Sequence, residues 1–271
     1  FQPLPAGVFF SPFPNSFYYG WSREETNCFC LEQLERLLQT QSSADETAAI
    51  IIEPVLGEGG FVPAPAEFLS GLREICDRTG ILFIVDEIQS GFGRTGKMWA
   101  HEYSGIRPDI LTMAKGIASG LPMSAIGASH ELMSRWVPGS HGGTFGGGSS
   151  ISMAAALATL EVIENEQLVE NARTMGNELK QNLETIFSKY PVAADIRGYG
   201  LMVGVELTRD GKPDKQTAIN IQAACLKSKL LLLICGTDGN VLRWLPPLNV
   251  SSEEINIACK IFESAIKHCV S

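Results

Sequence analysis

Hydrophobic positions along the 271-residue chain change period in an ordered way. At 31–38, Leu31, Leu34, Leu37 and Leu38 recur at helical spacing, which predicts a helix. The run 48–52 (AAIII) is instead continuous and β-branched and ends at Glu53, the pattern of a buried strand. Pro65 then sits where a first helical turn tolerates it. Phe68, Leu69, Leu72, Ile75 and Cys76 form one apolar stripe, and Gly80 supplies a stop. A second apolar run, 81–85, ends in Asp86. Strand, helix and strand within about 40 residues predict a βαβ unit, and so a parallel sheet covered on both faces. A third strand, Ile110–Met113, runs into Lys115 and is followed by glycines rather than a hairpin turn. The Pro-rich, aromatic start predicts no helix or strand of its own before Cys28.

From Ile151 the texture changes. An alanine-rich helical stretch is followed by a second helix to about residue 190, by short strands at 201–206, 230–234 and Val241–Trp244, and by a closing helix at 253–269. This predicts a smaller α+β domain. With a boundary near residue 158, residues 1–157 read as the later portion of a large α/β domain and 158–271 as a small C-terminal domain.

Composition narrows the function classes. With 45% apolar and 19% charged residues the chain can bury a full core, while a net charge of −9 and a pI near 5.0 give no attraction to nucleic acid or an anionic membrane. Seven scattered cysteines form no Cys-x-x-Cys pair, and no histidines stand at zinc-ligand spacing, so free thiols and no metal are expected. No apolar stretch approaches the roughly 20 residues of a membrane span, and the start lacks a basic leader region. A cytoplasmic protein is expected, or one of the mitochondrial matrix if a targeting segment preceded Phe1.

Two segments invite a chemical reading. ILFIVDE followed by GFGRTGK (91–97) mimics the acidic strand and phosphate loop of an ATPase. The order is inverted, no strand enters the loop, and Met98 stands where a magnesium-binding Ser or Thr is needed, so that reading fails. The second segment pairs Asp86 with Lys115. Taken singly, each is an ordinary strand-end residue. Together they place a partly desolvated carboxylate, which needs a cation or donors, near an amine flanked by the small Ala114 and Gly116. Glu53 and Glu58 fall at the same strand ends, the edge of open α/β sheets where ligands bind.

EPVLGEGGF, VDEIQSGFGRTG, DILTMAKGIASGLP, HGGTFGG, IRGYGLMVGVEL and NVLRWLPPL follow one another in the order found in class III aminotransferases, and the chain resembles that family from about Pro12 to its C-terminal helix. Within the family it is most similar to 4-aminobutyrate aminotransferases. The resemblance implies the fold-type-I transferase architecture, pyridoxal 5′-phosphate (PLP) as cofactor, amino-acid and oxo-acid substrates, and a homodimer with a shared site. It implies that Lys115 is the Schiff-base lysine, that Asp86 pairs with the pyridine nitrogen, that Ile88 packs on the ring and that Gln89 bonds near the ring hydroxyl. Thr144 would reach the phosphate of the partner subunit's cofactor. Arg243 would bind a substrate α-carboxylate, and Glu58 would pair with that arginine when no carboxylate is there. A strand-edge surface arginine stays as the alternative reading of Arg243, because no sequence feature fixes its direction.

Arg197 is read as structural, and no role is assigned to the four histidines. The chain departs from the family at Gly148-Ser149-Ser150, where an Asn-Pro pair is usual; serine still caps the helix start. The family's phosphate-binding helix start and stacking aromatic have no counterpart here, so weak cofactor binding by these residues alone is expected. The function that follows is ping-pong transamination of an ω-amino acid. The alternatives are an acetylornithine- or ornithine-type or other class III reaction, and a non-catalytic fragment that keeps the fold as a dimerisation module.

Overall fold

A computed structural model describes residues 5–140, 149–190 and 192–270. It begins with two helices, α1 (Ser16–Tyr19) and α2 (Arg23–Thr40), contrary to the expectation of an element-free start. The overlooked signal is the capping box at Ser22. Its Oγ accepts the Glu25 N–H at 3.2 Å while the Glu25 carboxylate accepts the Ser22 N–H at 3.0 Å, which starts the helix well before its leucine stripe.

The first sheet is built from β1 (Ala49–Ile52), β4 (Leu82–Asp86), β5 (Ile110–Met113) and β6 (Ala125–Ala128), in the order β1-β4-β5-β6. A small hairpin of β2 (Val55–Leu56) and β3 (Val62–Pro63) leaves β1, and α3 (Ala66–Thr79) returns to β4. Gly80 ends α3 in the left-handed conformation at φ 77°. Both β1/β4 and β4/β5 are parallel, as the βαβ pattern predicts. The sheet is thus mostly parallel, as expected of the fold, with β6 alone running antiparallel to β5. A 3-10 turn at Lys115–Ala118, with no crossover helix, joins them, and such a short link can only bring the chain back antiparallel. Nor is β1 fully covered: Phe83 and Val85 of β4 are buried, whereas Ile51 on the edge is 61% exposed.

After α4 (His130–Ser134), α5 (Ser150–Asn165) is capped by Ser149, whose Oγ accepts the Ser152 N–H at 3.4 Å. The boundary read near residue 158 falls inside α5, which packs Ala156 and Ile163 against Phe92 and Ile117 of the first sheet's layer. Next come α6 (Leu168–Phe187), β7 (Ala193–Tyr199), β8 (Met202–Arg209), β9 (Lys212–Pro213), α7 (Lys215–Lys227), β10 (Leu233–Cys235), β11 (Val241–Trp244) and α8 (Ser252–Val270). The antiparallel order is β10-β11-β8-β7, with β9 on β8. Leu179, Leu183, Ile221 and Phe262 of the helices close one face over Val203, Val205 and Leu242. On the other face, Met202, Val241 and Cys235 meet Val55 and Phe61 of the β2–β3 hairpin. That hairpin therefore joins the two sheets. Among the described residues no helix is long and apolar enough to cross a membrane and no group of side chains has metal-binding geometry. All seven cysteines are free.

Candidate active site

Three parallel strands end level with one another. Ile52 pairs with Val85, Val85 with Leu111, and Asp86 with Thr112, so Glu53, Asp86 and Lys115 leave one edge of the sheet. Asp86 is half-buried, and its Oδ1 accepts the Ile88 N–H at 2.9 Å. That is the only hydrogen bond its carboxylate makes among the described residues, which leaves Oδ2 open. Gln89 presents a buried Oε1 with no donor, and Thr112 a buried Oγ1 with no partner. Gly57 makes room for the Gln89 amide: a Cβ there would stand 2.1 Å from Gln89 Oε1. Ile88 lies half-buried in the turn between Asp86 and Gln89.

Lys115 is exposed and starts the 3-10 turn at φ 40°, a left-handed backbone that costs a non-glycine residue about 1–3 kcal/mol. Buried Ile117 and Ala118 hold the turn in place, and the distortion sets the direction in which the lysine leaves the strand. Glu53 reports on the whole cluster. Burial pushes its carboxyl above the usual range, the Gly57 N–H at 2.8 Å opposes that shift, the Asp86 charge raises it further, and the Lys115 ammonium lowers it. Asp86 and Lys115 therefore act on one point from two strands. A cavity of about 690 Å³ opens beside Lys115, lined by Gln89, Phe92, Thr159 and Leu245 among others, but not by Asp86. A larger one, about 1180 Å³, lies at the opposite sheet edge around Arg73 and Asp109 and contains none of these groups.

The turn 57–61 faces the cluster from the other side. Glu58 forms an ion pair with Arg243 of β11, whose guanidinium is nearly enclosed and keeps a buried Nε without a partner. The surface reading of Arg243 is thereby removed. Thr144 lies outside the described residues.

Several residues near the site carry no assignment in the sequence reading. Glu87 is fully buried; it accepts Ser90 Oγ at 2.5 Å and the His101 backbone N–H at 2.8 Å, and lies 2.9 Å from His101 Nδ1, which fixes the turn after Asp86. His101 thus has a partner that spacing alone could not reveal. The glycine-rich 91–97 segment is a packing joint. Its Arg94, pushed down to about 10 by burial, donates to the carbonyls of Pro246 and Leu201, and a Cβ on Gly200 would meet the Thr95 backbone carbon at 2.4 Å.

Comparison with known proteins decides the family. Residues 1–266 match the family described as Aminotransferase class-III. This chain belongs to the class III aminotransferase family. It is 40% identical over 262 residues to a 5-aminovalerate aminotransferase of Pseudomonas putida, covering 96% of this chain and 60% of that protein. It is 41% identical to a 4-aminobutyrate aminotransferase of Escherichia coli (85% of this chain, 55% of that one) and 42% identical to an acetylornithine aminotransferase of Clostridium acetobutylicum (84% and 56%). A solved aminotransferase of Bacillus anthracis superposes with a TM-score of 0.91 at 33% identity, over 98% of this chain and 63% of that one. The fold is thus that of the PLP-dependent aminotransferases. The chain spans only 55–60% of the length of these curated relatives.

The family's cofactor is pyridoxal phosphate, and the donor set fits it. An open carboxylate oxygen on Asp86 suits a ring N–H, the unpaired Gln89 Oε1 suits a ring hydroxyl, and the Lys115 amine has no hydrogen-bond partner among the described residues.

Proposed function

We propose that the protein is a pyridoxal-phosphate-dependent aminotransferase of ω-amino acids such as 4-aminobutyrate, with Lys115 and Asp86 as catalytic residues and Ile88, Gln89 and Thr144 completing the cofactor site. When bound, pyridoxal phosphate supplies a ring that takes up the electron pair left by deprotonating an amino carbon. Lys115 Nζ would be the group that holds the cofactor, and its free amine would carry the proton away from the amino carbon. Asp86 Oδ2 keeps the ring nitrogen protonated, and its fixed Oδ1 bond to the Ile88 N–H prevents the carboxylate from rotating away. Thr144 is assigned to the phosphate held by a second copy of the chain, which makes the active unit a homodimer. The division into a large cofactor domain (1–157) and a small domain (158–271) belongs to this reading.

The observation that carries the substrate class is the Glu58–Arg243 pair. An enclosed arginine recognises a carboxylate by its planar fork, and an exposed glutamate already sits on it. An ω-amino acid presents an amine at the reacting end with no carboxylate beside it, so Glu58 stays in place. Glutamate brings an α-carboxylate, which displaces Glu58 and takes Arg243. One site thus serves both partners of a ping-pong exchange. The test is to measure the full-length enzyme with 4-aminobutyrate, 5-aminovalerate and N-acetylornithine as donors to 2-oxoglutarate. Preference for either of the first two supports the reading. Preference for N-acetylornithine, which carries an α-carboxylate far from its reacting amine, selects the acetylornithine-type alternative, and turnover with none overturns it.

A further inference from the structure

Glu58 reaches Arg243 only because the turn that carries it lies flat on the small sheet, and that placement has a visible cause. Arg197, Gly204 and Arg243 form one rung: Arg197 on β7 pairs with Gly204 on β8, which pairs with Arg243 on β11. Side chains on one rung of neighbouring strands share a face, so two guanidinium groups flank a position with no side chain. The Gly60 carbonyl seats in that gap. A Cβ on Gly204 would stand 3.1 Å from both Gly60 O and Phe61 Cβ. Arg197 donates Nε and Nη2 to the same carbonyl at 2.9 and 2.7 Å, and its remaining Nη1 is held by Asp195 at 2.9 Å and Glu206 at 2.6 Å. The Gly236 N–H of the small domain adds a bond to Glu58 O at 2.9 Å. Gly60 (φ 120°) and Phe61 (φ 53°) both take the left-handed backbone that folds the turn down onto this seat.

We infer that the Arg197–Gly204 seat is a specificity-determining positioning device: by gripping the Gly60 carbonyl it holds Glu58 over Arg243, and so sets how strongly Glu58 competes with a substrate carboxylate. The inference rests on the proposed exchange of Glu58 for a carboxylate at Arg243. Arg197 acts through the turn, because its Nε, Nη1 and Nη2 are all engaged within the chain. Its two acidic neighbours neutralise it, so its fork is spent on a backbone carbonyl rather than on a ligand.

The experiment uses the full-length holoenzyme with Arg197→Lys, which keeps a cation beside Asp195 and Glu206 but cannot fork onto Gly60. It is paired with Gly204→Ala, Glu58→Gln and the Glu58→Gln/Arg197→Lys double variant. The two half-reactions, with an ω-amine donor and with glutamate, are measured separately, and the Kd of glutarate, an unreactive dicarboxylate, is measured by calorimetry. Arg197→Lys is expected to lower kcat/KM for the ω-amine about tenfold, the scale of losing a charge-assisted hydrogen bond, while the glutamate half-reaction is spared and glutarate binds as well or better. The double variant should behave like Glu58→Gln alone, because both changes act through one contact. Equal losses in both half-reactions of Arg197→Lys, or additive losses in the double variant, would overturn the inference while an asymmetric Glu58→Gln left the exchange reading standing. A symmetric Glu58→Gln would overturn the exchange itself and this inference with it. If Arg197→Lys fails to fold, Gly204→Ala decides: lifting the turn by a few tenths of an ångström should give the same asymmetry, and symmetric losses refute the seat.

Discussion

The edge of the first sheet and the rung of the second face one another, and they are incomplete in opposite senses. At the edge, Asp86 Oδ2, Gln89 Oε1 and Thr112 Oγ1 are oxygens short of hydrogen-bond partners. On the rung, the arginines have acceptors supplied from within the chain, Gly60 O for Arg197 and the Glu58 carboxylate for Arg243. Buried acceptors without donors cost stability until something fills them, which favours an occupant that stays. An arginine covered by an exposed glutamate loses little when another carboxylate takes its place, which favours an occupant that comes and goes. One region fits a resident cofactor, the other an exchanging substrate.

Changes at the edge should therefore damage both half-reactions alike, and changes on the rung only one. The largest effect is expected from Lys115→Ala in the complete enzyme, which should lower both half-reactions by about 10³-fold or more in single-turnover measurements. Asp86→Asn should follow it in the same symmetric manner, since a neutral partner no longer holds the ring nitrogen protonated. A selective loss in either variant would break the comparison. Arg243→Lys comes next: replacing the fork by a point charge should cost the glutamate half-reaction on the order of tenfold or more in kcat/KM and the ω-amine half-reaction much less. Loss of the ω-amine half-reaction alone would reverse the assignment.

Gly57→Ala sharpens the edge side. The added methyl displaces the Gln89 amide, and cofactor affinity should weaken by about tenfold, roughly 1.4 kcal/mol, in an absorbance titration with pyridoxal phosphate. Unchanged affinity would take Gln89 out of the cofactor site. The smallest effect concerns Glu53, whose carboxyl burial and the nearby Asp86 charge hold above its ordinary value of 4.5. A group raised on folding favours the fold while it is protonated, and that contribution is lost as pH rises through the raised value. The Tm of Glu53→Gln should thus gain on wild type as pH rises from that range toward neutrality, and match it most closely below. A gap that closes toward neutrality would show that the Gly57 and Lys115 interactions outweigh burial.

Much of this was legible in residue order. The apolar stripe of α3, the strands that end in Asp86 and Lys115, and the serine cap of α5 follow from local periodicity and capping, which a single segment contains. What escaped depends on contacts between distant segments. Short AADIRGY gave no clear alternation for β7, and α7 carries only a weak apolar face. The antiparallel β6 was hidden because its direction is set by the Lys115 turn rather than by its own residues. His101 gains meaning only from Glu87, and Gly204 only from a carbonyl 144 positions earlier, at Gly60. A glycine set between Val203 and Val205 in β8 was the one available hint of that close approach.

The cysteines lend themselves to a different use. Burial pushes the thiols of Cys30, Cys76, Cys235 and Cys259 up to about 11 and that of Cys225 to about 12, so at neutral pH an alkylating reagent meets almost no thiolate there, and no open path to it. They are distributed by layer: Cys30 and Cys76 between α2 and α3, Cys225 and Cys259 under the small sheet's helices, and Cys235 between that sheet and the hairpin. Each becomes reactive only when its own layer opens. Timed alkylation read by peptide mass would therefore record the order in which the molecule comes apart, with Cys235 marking the moment the two sheets part.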